Sequence, residues 1–479
     1  MRLVLRSALF AIAAAGCASQ KEAMPTAAEP ISAEEYTDYG HRDDTRTAVD
    51  PRSTFAADVD TASYALARRK LFAGALPPPA SVRVEEFVNY FPYDYPQPQR
   101  GPLAVHFEAA PSPFNTAKLL VRVGLQGRKV AFDQRKPAHL TMLLDTSGST
   151  AADGKLDLAK HSIRLLLDEL GDGDTVSLVA YGGSAGLVLG PTPLSRRSEV
   201  LDALDRLTSG GNSALADGLS LAYLQAESTF EQGQINRVML YSDGDANVGP
   251  ATHSELSKII ADRAGRGIAL TALGFGPASY SDTTLERLAD GGDGNYFFID
   301  NEREARRVVV DELVGTLQII AADVKVQVLW SGERVLSHRL IGYENREIAD
   351  HAFRDDGANG GALGAGHQVT ALYEVELVDG ALGDLATVLV RSRIPENDTP
   401  EETVFSLRSD DVKPSTSEGS RSYRMALAAA WFAEVLRRSP HAEDVDIADV
   451  LALARGAARD EYAEDAELVA LIEVAASLM

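Results

Sequence analysis

The chain has 479 residues and a formal charge of −24, from 46 Lys and Arg against 70 Asp and Glu. That length points to about three domains, and a hydrophobic content of 45% with 24% charged residues is that of a globular chain. The acidic balance argues against nucleic acid as a partner, because a phosphate backbone rewards clustered Lys and Arg, and it favours divalent cations near carboxylates; a single cysteine, Cys17, excludes an intramolecular disulfide framework, a cysteine-based zinc site and an iron–sulfur cluster.

Residues 1–16 read as a signal peptide: Arg2 and Arg6 precede a short apolar run that ends in small residues, too short to span a bilayer as a helix. The run closes Ala14-Ala15-Gly16-Cys17, which resembles a bacterial lipobox with Ala where Leu is usual. The resemblance implies that Cys17 is lipidated and is the first residue of the mature chain. Residues 17–50 are rich in Ala, Glu, Thr, Asp and Pro without an apolar period, so a disordered tether is expected, holding the folded part about 30 Å from the lipid. No later stretch approaches a transmembrane helix.

Residues 51–98 form an N-terminal helical segment, with helices expected over 61–71 and 82–90 around Pro77-Pro78-Pro79. Strand-like alternation marks residues 102–133 and returns over 321–412. Between them, residues 137–320 alternate strands with helices, the signature of a parallel sheet covered on both faces. Each β segment is short for a complete sandwich, so the α/β block is expected to be inserted into one discontinuous β-sandwich. Residues 420–479 are rich in Ala, Leu and Glu and read as a C-terminal helical region, with Met425, Ala428, Trp431, Phe432 and Val435 on a core-facing stripe.

Inside the α/β block, the apolar run 138–144 ends in Asp145-Thr146-Ser147-Gly148-Ser149. Leu156, Ala159, Ile163, Leu166, Leu167 and Leu170 then trace one face of a helix. The loop therefore lies at the carboxyl end of a strand, where open α/β sheets place ligands. Asp145, Ser147 and Ser149 alternate, so their oxygens can converge on one hard cation, and two hydroxyls with one carboxylate suit Mg²⁺. In isolation a helix-capping cluster is the better reading of these residues. Two later loops shift the balance. Gly210-Gly211-Asn212-Ser213 precedes a helix, and Ser242-Asp243-Gly244 ends another buried strand, so Ser213 and Asp243 can complete the site.

The order Asp145-x-Ser147-x-Ser149, Ser213, Asp243 resembles the metal-ion-dependent adhesion site of von Willebrand factor type A (VWA) domains. Ser213 stands where Thr is usual. Further segments, among them Phe55-Ala56-Ala57-Asp58-Val59-Asp60 and Leu340-Ile341-Gly342-Tyr343-Glu344-Asn345-Arg346, resemble bacterial VWA lipoproteins labelled homologues of calcium-activated chloride channel regulators. The resemblance implies an α/β fold, a Rossmann-like doubly wound and mostly parallel sheet inserted into a β-sandwich. It also implies Mg²⁺, with Ca²⁺ or Mn²⁺ as alternatives, bound by Asp145, Ser147, Ser149, Ser213 and Asp243. The expected function is non-enzymatic: an envelope-anchored binding or assembly protein engaging an Asp or Glu carboxylate of a protein partner, with the outer membrane favoured. A metal-dependent hydrolase, or a scaffold with a vestigial site, are the alternatives.

Other motifs carry less. Gly182-x-Ser184-x-Gly186 matches a nucleophile elbow, but Leu187-Val188-Leu189 reads as a second strand and so as a hairpin. The spacing of Asp243, Asp245 and Asn247 fails an EF-hand loop. Asp58-Val59-Asp60-Thr61 reads as a capped turn opening a helix. His139 is expected as a satisfied sheet residue and His367 as a turn former. Most of the remaining acids are read as solvated surface.

Overall fold

The computed structural model describes residues 36–479, apart from 58–59, 132–133, 183, 212–214, 245–252, 277–281, 314–316, 359 and 396. The expected signal peptide, Cys17 and Ser213 lie outside the described residues. So do Asp58, Asp245 and Asn247.

The chain begins with two short strands, β1 (Thr45–Arg46) and β2 (Arg52–Ala56), before the helices α1 (Ala62–Phe72) and α2 (Val84–Asn89). Three expectations are corrected here. The tether forecast over 17–50 ends earlier, because Thr45 and Arg46 pair with a later strand, Thr47 is buried and Asp44 meets Lys118 at 2.7 Å. Such a strand is held by backbone pairing along an otherwise open sheet edge, so it needs no apolar period of its own. The segment 51–98, forecast as helical, likewise opens with a strand. The turn at Asp60 also departs from the forecast: Thr61 makes no side-chain cap to α1. Asp60 instead accepts the Tyr296 amide at 2.9 Å and pairs with Arg346 at 2.7 Å.

An antiparallel hairpin, β3 (Leu103–Pro111) and β4 (Leu119–Gly127), leads into the α/β block. The block runs β5 (Ala138–Asp145), α3 (Lys155–Asp168), β6 (Thr175–Gly182), β7 (Ser184–Pro193), α4 (Arg197–Asp205), α5 (Leu215–Ser228) and β8 (Ile235–Ser242). It continues through α6 (His253–Ala264), β9 (Ala269–Phe275), α7 (Asp282–Asp290), β10 (Tyr296–Ile299) and α8 (Glu302–Arg306). The six-stranded sheet has the order β10-β9-β8-β5-β6-β7 and is parallel except for the edge hairpin, where Gly182 faces Ser184. That hairpin rules out the nucleophile-elbow geometry, which needs a helix after the serine. β5 and β8 lie at the centre and are covered on both faces, which is why their sequences are nearly continuous apolar runs. His139, forecast as satisfied, makes no ring hydrogen bond among the described residues; Glu231 lies 4.0 Å away.

The chain then returns to antiparallel strands: β11 (Ile319–Trp330), β12 (Val335–Ile341), β13 (Gly361–Gly364), β14 (Gln368–Leu377), β15 (Asp384–Ile394) and β16 (Thr399–Arg408). One sheet has the order β1-β12-β14-β4-β3; the other runs β13-β11-β15-β16, with β2 on β11. Alternate residues of the two sheets, such as Val121, Val123 and Tyr373 against Val326, Val328 and Val388, share one core. Strands from both sides of the α/β block thus meet in space. His367 forms the turn before β14, its amide donating to the Gly364 carbonyl at 3.1 Å, and burial holds its imidazole down at about 4.

Three helices close the chain: α9 (Arg421–Leu436), α10 (Ile447–Ala457) and α11 (Ala463–Leu478). The stripe with Met425, Trp431 and Phe432 is buried against α2 and the aromatic segment Tyr90 to Tyr95, on the outer face of the β12-β14-β4 sheet. Among the described residues no helix is long and apolar enough to cross a membrane.

Candidate metal centre

Asp145 is the last residue of β5, at the top of the sheet and next to the centre strand β8. The turn after it is stapled on both sides. The Thr146 amide donates to the Tyr181 carbonyl at 2.9 Å, Gly210 donates to the Thr146 carbonyl at 2.7 Å, and Gly148 donates to Gly211 at 2.9 Å. Those last two bonds bring Gly210 and Gly211, in the loop before α5, alongside the Asp145 loop. The close approach to β6 requires Gly182: a Cβ there would sit 2.6 Å from the Thr146 carbonyl.

Within this frame the Asp145 carboxylate accepts the Ser147 amide at 2.8 Å, and the Ser147 and Ser149 hydroxyls lie 3.0 Å apart. The capping alternative fails on this geometry. Ser147 makes no side-chain cap to the short 3₁₀ turn it precedes, and α3 begins after Gly154, again without a side-chain cap. The serine oxygens are therefore not spent on helix amides. Asp243, directly after β8, lies close enough for its charge to act on Asp145, and Ser242 Oγ approaches Asp145 Oδ2 at 3.4 Å. Burial pushes the Asp145 carboxyl up, the Ser147 hydrogen bonds oppose the rise, and the Asp243 charge adds to it.

The structure thus brings together Asp145, Ser147, Ser149 and Asp243, four of the five residues forecast. Three further polar residues were not anticipated. Thr150 Oγ1 donates to the Ser147 carbonyl at 2.8 Å and meets Ser209 Oγ at 3.0 Å, tying the two loops together. Lys155, the first residue of α3, places Nζ 3.0 Å from Asp243 Oδ2. Spacing gave no signal for Lys155; a lysine in the first turn is disfavoured by the helix dipole, which its pairing with Asp243 offsets.

The donor set fits a hard cation. Two nearly buried carboxylates face one buried ammonium, an arrangement one positive charge short of balance, with hydroxyls as neutral oxygen donors. Among the described residues there is no cluster of three or more His, Cys, Asp or Glu side chains suited to a metal, so thiolate or imidazole sites are not found there.

Comparison with known proteins agrees with this architecture. The family described as von Willebrand factor type A domain matches residues 139–311, one described as von Willebrand factor matches 30–122, and the family "Uncharacterized protein YfbK, C-terminal" matches 315–383 and 379–478. The protein YfbK of Escherichia coli (strain K12) is 33% identical over 458 residues, spanning 90% of this chain and 79% of that protein. The protein sll0103 of Synechocystis sp. is 26% identical over 192 residues, 40% of this chain and 44% of its own length. Among solved structures, a von Willebrand factor type A protein from Catenulispora acidiphila matches 81% of this chain and 89% of that one, at 16% identity and a TM-score of 0.46. The identity to YfbK over nearly the whole length, together with the central VWA match, shows that the chain belongs to the YfbK-like family of bacterial VWA-domain proteins.

Proposed function

We propose that the protein is a non-enzymatic, envelope-anchored adhesion or assembly module. In this reading Asp145, Ser147, Ser149, Ser213 and Asp243 hold one divalent cation, Mg²⁺ first, with Ca²⁺ or Mn²⁺ as alternatives. An Asp or Glu side chain of a protein partner completes its shell. The observation that carries the reading is the pair of serine hydroxyls 3.0 Å apart beside Asp145, with neither serine capping a helix. When bound, the cation supplies an electrophilic site for a carboxylate oxygen. The chain's own residues orient the donors: Thr150 and Ser209 fix the two loops, and the Ser147 amide fixes the Asp145 rotamer. The hydroxyls are neutral, so much of the cation's charge stays available to a ligand. Lipidation at Cys17 tethers the module to the envelope, outer membrane favoured.

The test is affinity capture from a bacterial envelope extract in Mg²⁺, comparing wild type, Asp145→Ala and EDTA-treated protein. Capture by wild type alone supports the reading; equal capture in all three overturns it. Metal binding is checked separately. Mg²⁺ at a hundredfold its Kd stabilises the folded chain by about 2.7 kcal/mol if it binds only that form, and Asp145→Ala abolishes the gain.

A further inference from the structure

We infer that Lys155 is a counter-cation built into the metal site: it weakens the hold on the metal and leaves more of the metal's charge for an acidic ligand. The inference rests on the metal reading above. Lys155 Nζ lies 3.0 Å from Asp243 Oδ2, with the two side chains only 7% and 0% exposed. Its stem is seated by design of the backbone opposite. Gly276, directly after β9, has φ +112°, and a Cβ on it would come 2.5 Å from Lys155 Cε and 2.7 Å from Cδ. The torsion favours glycine there, and the bare backbone lets the lysine stem lie directly against it. The carbonyl of the same glycine accepts Arg69 from α1 at 2.8 Å, which helps hold Gly276 in place.

A lysine is rarely buried to this extent unless its charge has a partner. Here the partner is a carboxylate of the proposed site, so the ammonium is part of the site's charge. Among the described residues, Asp145 and Asp243 contribute two negative charges and Lys155 one positive, leaving a net of −1. A divalent cation brings the cluster to +1, which attracts a carboxylate. Without Lys155 the loaded cluster is neutral: it holds metal more tightly and attracts an anion less. A fixed charge within a few ångströms shifts the protonation of a neighbour by about 1–3 pK units, and the same repulsion acts on a bound metal.

Lys155→Met keeps the stem and removes the charge, whereas Lys155→Arg keeps the charge. Titration of the full chain with Mg²⁺ alone by calorimetry, with thermal melting as the folding control, reads the effect. Lys155→Met is expected to tighten Mg²⁺ binding about tenfold, while Lys155→Arg stays within about threefold of wild type. A Lys155→Met protein that melts normally yet binds Mg²⁺ with unchanged or weaker affinity overturns the inference, since Lys155 is then only a strut for Asp243. If that variant melts poorly, Lys155→Gln is titrated under the same criterion. Wild type that binds no Mg²⁺ overturns the metal reading itself, a result distinct from the other two.

Discussion

Arg68 on α1 is expected to be a stability determinant for the whole assembly. Its guanidinium, 1% exposed, pairs with Asp300, with Glu304 at 2.8 Å and with Glu467 at 3.1 Å, and donates to the Tyr90 hydroxyl at 2.7 Å. The three acids come from the end of β10, from α8 and from α11. One arginine thus joins the N-terminal helix, the VWA block and the C-terminal helices. Arg68→Met preserves most of the stem volume and removes the charge, leaving buried carboxylates facing one another. Glu304 keeps Arg307 at 2.6 Å and Glu467 keeps Arg303, while Asp300 still accepts from the Asn301 side-chain Nδ2 at 2.7 Å. Because compensation is partial, the lower end of the usual range applies, a loss of about 3 kcal/mol. Glu304 gives a second readout. Burial works against its ionisation, yet Arg307 and Arg68 outweigh burial and hold the carboxyl at about 2, from 4.5 when free. Its folded pKa is depressed, so its contribution is complete above about 4.5 and is lost as pH falls toward 2. Removing Arg68 raises that folded pKa, so the acid arm of stability becomes shallower as well as lower. Urea unfolding at pH 7, followed through Trp330 and Trp431, and melting between pH 3 and 7 measure both effects. A loss below about 1 kcal/mol, or an acid arm unchanged in slope, refutes the reasoning.

Two other outcomes follow from the geometry. Gly182→Ala places a methyl 2.6 Å from the Thr146 backbone, so it is expected to abolish Mg²⁺-dependent stabilisation while shifting the metal-free melting temperature far less; intact Mg²⁺ stabilisation in this variant contradicts the account of the loop. Glu286 on α7 is raised to about 7 by burial, with Arg83 and Arg346 opposing and Glu86 adding to the rise. Its folded pKa lies above the ordinary 4.5, so its contribution is greatest at low pH and is lost as pH rises through about 7. Glu286→Gln is therefore expected to flatten the fall in melting temperature between pH 5 and 8, and an unchanged slope counts against this assignment.

What was legible in the sequence follows from periodicity. The apolar run of β5, the helical spacing from Leu156 to Leu167 and the acidic turns at Asp145 and Asp243 each report local structure. Together they give the parallel sheet and the end of it at which the site lies. Strand alternation on both sides of the block gave the antiparallel sheets. The features that were missed depend on contacts remote in sequence. β1 is a two-residue strand whose only signal is its pairing with His338 and Ser337. Asp60 looked like a helix cap, and its actual partners are Tyr296 and Arg346, on other elements. Lys155 is paired with Asp243, and its stem lies against Gly276, the residue after β9.

The acidic balance has a different meaning in the fold than in the composition. Many acids are indeed exposed, but Asp60, Glu85, Glu86, Glu108, Asp174, Glu286, Glu304, Glu374, Glu434, Asp465 and Glu467 are buried. Glu85 accepts the Tyr343 amide at 2.9 Å; the others have arginine partners, and many of these pairs cross between segments: Arg83 to Glu286 at 3.1 Å, Arg346 to Asp60 at 2.7 Å, Arg339 to Glu434 at 3.7 Å, Arg68 to Glu467 at 3.1 Å. Buried pairs of this kind add little net stability over apolar residues of equal volume, because desolvation offsets most of the attraction. A mispaired arrangement, however, strands a charge in the interior at several kcal/mol. A chain whose sandwich is interrupted by another domain must bring distant segments into one register, and apolar faces alone tolerate sliding. Charges that are satisfied in only one arrangement specify that register. Arginine suits the task better than lysine, since its fixed fork of donors can serve several carboxylates at once, as Arg68 does. Lys155, buried and paired to a carboxylate of the candidate site at 3.0 Å, is a point charge, and that suits a group whose effect is on local charge instead of register.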